Sequence, residues 1–222
     1  MEAKTALVIG GTGLVGRQLI KLLIKNPTYQ KIKYFGRNQV DLDSDKLEFI
    51  PTNFQMLHSI KEEISGDVLF SCLGTTIKKA GSKEEQYKVD FDFQLNFAKL
   101  AAEKGVENYV LVSSLGAHQN SHVFYTRVKG QLEQAIKKLK FRHCVIIRPS
   151  LLSGKRKEKR LGEQFAAKLS WLIAFIPYLK KYRAIPAKTV AKSMIKASDL
   201  NCDTVVFEAD ELFELAKDYT SD

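Results

Sequence analysis

Ala6-Leu7-Val8-Ile9-Gly10-Gly11-Thr12-Gly13-Leu14-Val15-Gly16 is the stretch on which the reading of the chain turns. Four apolar residues run into a glycine cluster. The cluster runs into Arg17-Gln18-Leu19-Ile20-Lys21-Leu22-Leu23-Ile24, apolar on one helical face. The order is buried strand, tight turn, amphipathic helix. Gly11, Gly13 and Gly16 fit G-x-G-x-x-G, while Gly10, Gly13 and Gly16 fit G-x-x-G-x-x-G. Either pattern alone is weak, because glycine is common at turns. A strand before it and a helix after it make it a dinucleotide cradle, with backbone N–H groups facing an anion at the positive end of a helix.

Working outward, apolar strands are expected at residues 32–35, 46–50, 67–73, 109–112, 144–147 and 204–207. Helices are expected at 56–64, 83–104, 124–139 and from about 210. Strands alternate with helices, and most strands are continuous apolar runs, as in a parallel sheet covered on both faces. Right-handed crossovers then give a single-domain α/β fold, a doubly wound, mostly parallel Rossmann-like sheet of about seven strands. Its ligand crevice lies at the carboxyl ends of the strands. The candidate cofactor residues therefore follow the strands: Gly10 to Gly16, Gly36-Arg37, Thr52-Asn53-Phe54, Cys72-Leu73-Gly74-Thr75, Ser113-Ser114 and Pro149-Ser150-Leu151.

The 222 residues suit one domain, and 45% hydrophobic with 27% charged residues is ordinary for a soluble globule. The net charge of +10 is spread along the chain apart from residues 155–160, and no nucleic-acid motif accompanies it. An anionic small molecule would benefit from the same field. Cys72, Cys144 and Cys202 are far apart, without C-x-x-C, which argues against zinc and a disulfide framework. With no secretory h-region and no apolar run able to span a bilayer, a cytoplasmic protein without stable membrane insertion is expected.

An acidic residue usually ends the second strand of an NAD site, where it binds the ribose 2′-hydroxyl. Here Gly36-Arg37 stands there. A guanidinium suits a 2′-phosphate, so NADP is favoured; Asp41 and Asp43 keep NAD open.

Tyr125 and Lys129 form Y-x-x-x-K on one helix face. Tyr29 and Lys33 form the same pattern, placed by the sequence at the end of the first helix. Context selects the later copy, since it follows the strand ending in Ser113-Ser114. Hydride transfer to a carbonyl needs a proton donor for the developing alkoxide. A phenol titrates near ~10, and a neighbouring ammonium lowers that value. Lys129 can also hold ribose hydroxyls, and a serine hydroxyl can polarise the carbonyl. The plain alternative is a tyrosine packed under a loop with a solvated lysine.

These residues, with Cys72-Leu73-Gly74-Thr75-Thr76, Lys79-Ala80-Gly81, Val89-Asp90, Lys129-Gly130, Arg148-Pro149 and Gly162-Glu163, resemble an atypical short-chain dehydrogenase/reductase. Within that group the likeness is to the Tat-interacting-protein branch and its bacterial relatives, over nearly the whole chain. It implies NADP(H) binding and a Ser-Tyr-Lys set, with the serine role on Ser114 and Ser113 as its structural neighbour. Asp90 stands where many relatives have asparagine, and a carboxylate cannot donate as the amide does. Members of this branch also act as regulatory or redox-sensing binding proteins, so a non-catalytic NADP(H) sensor is the alternative to an oxidoreductase acting on a small carbonyl or alcohol. A nucleotide-sugar epimerase fits less well, because little chain follows the sixth strand.

His118 and His122 are read as loop or substrate-pocket residues, since no further metal ligand accompanies them. Cys72 reads as a buried thiol beside the crevice. Residues 151–190 are expected to cover the substrate. The apolar part at 161–179 suits core packing first, then a pocket lid, a homodimer contact or a membrane-touching patch.

Overall fold

A computed structural model describes residues 3–153, 183–217 and 219. Seven strands form one sheet in the order β3-β2-β1-β4-β5-β6-β9, every neighbouring pair parallel. They are β1 (Lys4–Ile9), β2 (Tyr29–Gly36), β3 (Leu47–Pro51), β4 (Val68–Ser71), β5 (Asn108–Val112), β6 (His143–Arg148) and β9 (Thr204–Glu208). Two short strands, β7 (Leu152–Ser153) and β8 (Ile185–Pro186), pair separately. The order reverses between β1 and β4, so the crevice opens beyond their carboxyl ends.

Alternation along each strand sorts side chains to two cores. From β1, Ala6 and Val8 enter one layer with Leu19, Ile20, Val190 and Met194. Leu7 and Ile9 enter the other with Phe97, Leu132 and Ile136. Helices α1 (Leu14–Lys25), α6 (Ala187–Ala197) and α7 (Glu211–Lys217) supply the first layer. Helices α4 (Phe93–Glu103) and α5 (Phe124–Ile136) supply the second. The expected doubly wound α/β sheet is the observed one.

Two helical segments differ from expectation. Residues 56–64 hold a 3-10 helix, Leu57–Glu63, kinked at Ile60, where φ is −121°. The single helix expected over 83–104 is α3 (Lys83–Tyr87), a π-helical segment (Lys88–Asp92) and α4 in one continuous helical run. A short helix α2 (Ile77–Ala80) precedes them, capped by Thr76. Tyr29 and Lys33 lie within β2, not on the first helix. The basic run at 155–160, the apolar segment at 161–179, Gly162-Glu163 and most of the expected covering segment lie outside the described residues.

Candidate functional site

The cradle is built by close approaches that only glycine allows. Gly10 has a φ of +81°, and a Cβ on it would lie 2.4 Å from the Cys72 carbonyl carbon and the Leu73 nitrogen. A Cβ on Gly16 would fall 2.3 Å from the Gly10 oxygen, so α1 enters directly against the turn. The Gly13 N–H donates to the Gly10 oxygen at 3.0 Å, and the Arg17 N–H donates to the Gly13 oxygen at 3.0 Å. The first-turn amides of Leu14, Val15 and Gly16 precede any helical acceptor. No acidic residue stands in that turn and Gly13 contributes no side-chain cap, so the positive helix end is open to an anion. Thr12 is exposed at the tip; Gly11 and Val15 are buried, and Leu14 is partly buried. The fit to a pyrophosphate rests on this glycine-lined space.

The end of β2 adds a cation. Arg37 is exposed. The buried Tyr34 hydroxyl donates to the Asn38 oxygen at 3.1 Å and lies beside Thr12 and the Arg37 guanidinium. Burial raises the Tyr34 phenol despite those neighbours. Arg17 reaches from α1 across to Asp41 at 3.3 Å, so a second guanidinium faces the loop after β2.

Beyond β4, a Cβ on the exposed Gly74 would lie 3.4 Å from Asp90 Oδ1 and 3.8 Å from Lys129 Nζ. Lys129 is 3% exposed, and its Nζ donates to the Val112 oxygen at the end of β5, at 3.4 Å. Tyr125, one turn earlier on α5, is 39% exposed. Ser114 is partly buried, with its hydroxyl donating locally to the Leu115 oxygen at 3.3 Å. Ser113 is buried and its hydroxyl donates to Glu133. Thus the carboxyl ends of β4 and β5 meet α5 at Lys129.

Asp90 is fully buried in the π-helical segment and acts as an acceptor. Its Oδ1 takes the Thr75 N–H at 2.8 Å, and its Oδ2 takes Gln86 Nε2 at 3.0 Å. Gln94 Nε2 donates to the Asp90 backbone oxygen at 2.7 Å and its Oε1 accepts from Ser71 at 2.8 Å. The carboxylate therefore pins the loop after β4.

Leu73 is partly buried against the second core layer. The Cys72 thiol packs against Met194 Sδ at 3.8 Å. Burial pushes that thiol up to about 12, opposed by the Lys129 charge. Asn53 is exposed, and its side chain accepts from the Gln55 N–H at 3.0 Å. The Phe54 ring turns into the core, stacked on Phe93 at 5.8 Å. Pro149 is buried and its oxygen accepts from the Leu115 N–H at 2.9 Å; the Leu151 oxygen accepts from Ile185 N–H at 2.8 Å. His118 Nδ1 takes the Asn120 N–H at 3.2 Å, and His122 is exposed. Among the described residues no group of three or more His, Cys, Asp or Glu side chains could hold a metal.

Sequence reasoning missed Glu133, which is buried on α5 and bound to Ser113 and Arg148. Its one trace in the sequence is the spacing, since Tyr125, Lys129 and Glu133 recur at intervals of four, and that acquires meaning once the helix face is known.

Sheet order and glycine cradle together define a dinucleotide-binding α/β protein. The chain belongs to the NAD(P)H-binding family, whose profile matches residues 10–199. It is 35% identical over 230 residues to Protein FMP52, mitochondrial, of Candida albicans, covering 96% of this chain and 98% of that one. The proteins of the same name from Emericella nidulans and Saccharomyces cerevisiae are 39% and 37% identical, covering 72% and 73% of this chain and 71% and 73% of theirs. The fold matches WbmH of Bordetella bronchiseptica in complex with NAD+, with a TM-score of 0.72 and 13% identity, over 93% of this chain and 76% of that one. It also matches UDP-glucose 4-epimerase of Thermotoga maritima, with a TM-score of 0.69 and 15% identity, over 96% and 81%. At those identities the likeness is one of fold.

The relatives' names overturn the expected cytoplasmic location, since each carries the word mitochondrial. The expectation rested on scattered cysteines that suit a reducing compartment. They do not separate one reducing compartment from another.

Proposed function

We propose that the chain is an NADP-dependent oxidoreductase of the atypical short-chain dehydrogenase/reductase type, acting on a small carbonyl or alcohol in mitochondria. The observation that carries this reading is the buried Lys129, whose Nζ donates to the Val112 oxygen near Gly74, on the helix that also carries Tyr125. The location follows the FMP52 relatives. The Tat-interacting branch rests on its motifs alone.

In this reading Gly10, Gly11, Thr12, Gly13, Leu14, Val15 and Gly16 receive the pyrophosphate on backbone N–H groups. Arg37 faces the 2′-phosphate. The dinucleotide supplies or accepts the hydride when bound. Lys129, on the same helix as Tyr125, holds the ribose hydroxyls. Tyr125 passes its proton to the carbonyl oxygen, and Ser114 donates a hydrogen bond to that oxygen. Ser113 is bound to the buried Glu133, whereas the Ser114 hydroxyl makes only a long local bond, 3.3 Å to the Leu115 oxygen, which it would exchange for the carbonyl.

One observation favours the second reading, a non-catalytic NADP(H)-binding regulator. Asp90 accepts at both carboxylate oxygens, so it offers no donor for a proton relay. A redox sensor working through Cys72 is disfavoured, because burial keeps the thiol protonated.

One experiment separates the two. NADPH and NADH are titrated into the protein, then absorbance is followed with aldehydes and ketones, in the wild type, Tyr125→Phe and Arg37→Glu. The enzyme reading expects turnover that falls at least about 100-fold in Tyr125→Phe with binding kept. It expects Arg37→Glu to move preference from NADPH toward NADH. Binding without turnover on any substrate supports the regulator, and equal binding of both dinucleotides before and after Arg37→Glu removes the NADP assignment.

A further inference from the structure

Glu133 is fully buried, yet it belongs neither to the cradle nor to the Ser-Tyr-Lys set. Its Oε1 receives Arg148 Nε at 2.9 Å and also the Ser113 hydroxyl. Its Oε2 receives Arg148 Nη2. Arg148 Nη1 continues to Glu208 Oε1 at 2.5 Å. One carboxylate thus ties α5 to the ends of β5 and β6, and Arg148 extends the tie to β9. The strand ends are already joined, as the Ser113 N–H donates to the Ile147 oxygen at 2.8 Å. What Glu133 adds is the position of the helix.

Burying an ion pair is a poor route to stability, because desolvation offsets most of the attraction. Apolar residues of similar volume would hold α5 to the sheet as firmly, but they would allow it to slide. Two carboxylate oxygens meeting a fixed guanidinium and a fixed hydroxyl do not. Lys129 lies one turn from Glu133 on the same face.

We propose that Glu133 is a positioning residue. By clamping α5 to Ser113 and Arg148 it sets where Lys129 Nζ stands beside Gly74, and so how Lys129 meets the cofactor. This rests on the cofactor reading above.

The test is a double-mutant cycle read by NADPH titration, with thermal melts alongside. Lys129→Ala and Glu133→Gln are each expected to weaken NADPH binding about tenfold, and the pair together no more than either alone. Ser113→Ala removes one arm and keeps the ion pair. It is expected to weaken binding about threefold, again without adding to Lys129→Ala. This variant decides the matter if Glu133→Gln does not fold. Losses that add, or an unchanged affinity in a variant whose melting point alone falls, would overturn the proposal. A wild type that bound neither NADPH nor NADH would overturn the cofactor reading and this one with it. Additive losses in a chain that binds would overturn this one alone.

Discussion

Gly10 and Gly105 share a φ of +81° and differ in what surrounds them. A Cβ at Gly105 meets nothing within 4 Å, whereas at Gly10 it meets the backbone after β4 at 2.4 Å. Gly105→Ala should cost about 1 kcal/mol, the left-handed penalty alone. Gly10→Ala should cost at least about 3 kcal/mol and abolish dinucleotide binding, because backbone must move. Melting curves and NADPH titration of the two variants check the contrast, and equal costs would show that the cradle yields. Residues of this kind were legible in the sequence, since a glycine pattern between strand and helix has one steric meaning. Glu133 was not. A glutamate on a helix reads as a solvated side chain unless something shows that its face is buried, and the Tyr125-Lys129-Glu133 spacing gained that meaning only when α5 was placed.

At the scale of elements, the strands were readable and the helix before β5 was only partly so. Apolar runs marked the seven sheet strands and were continuous in most of them, because both faces of the sheet are covered; Lys33 in β2 and Glu48 in β3 interrupt theirs. The two-residue strands β7 and β8 carry too few residues for any period. The π-helical turn at Lys88–Asp92 escaped for a related reason: five residues are too few to show a period of their own. That turn places Asp90 under the loop after β4, where its carboxylate takes the Thr75 N–H. Asp90→Ala should leave the Thr75 N–H and Gln86 amide without their acceptor and destabilise the protein by about 2–4 kcal/mol. Asp90→Asn, which keeps one acceptor for Thr75, should cost less than half as much. Chemical denaturation measures both; an Asn variant as damaged as Ala would mean that the charge is what the loop requires.

For the molecule as a whole, buried acids govern the response to alkali. Burial pushes the thiols of Cys72 and Cys144 up to about 12 from an ordinary 9.0. It also raises the phenols of Tyr29 and Tyr109 above their ordinary 10.0. The folded chain therefore keeps protons that the unfolded chain releases once pH passes about 9. Stability from these groups is complete below about pH 9 and declines as pH climbs toward about 12. Melts from about pH 8 to 11 should show the midpoint falling steadily over the upper part of that range, and a flat midpoint would contradict the burial assigned to these side chains. The sheet's order has a temporal consequence as well. Arg148 and Glu208 are 60 residues apart in the chain, yet they pair across β6 and β9. On the ribosome the glycine turn, Lys129 and Glu133 emerge well before β9. The edge of β6 then waits open, and closing so long a loop is slow. A nascent chain halted after β6 would present that edge to other proteins, and the exposure ends only when β9 has emerged and paired.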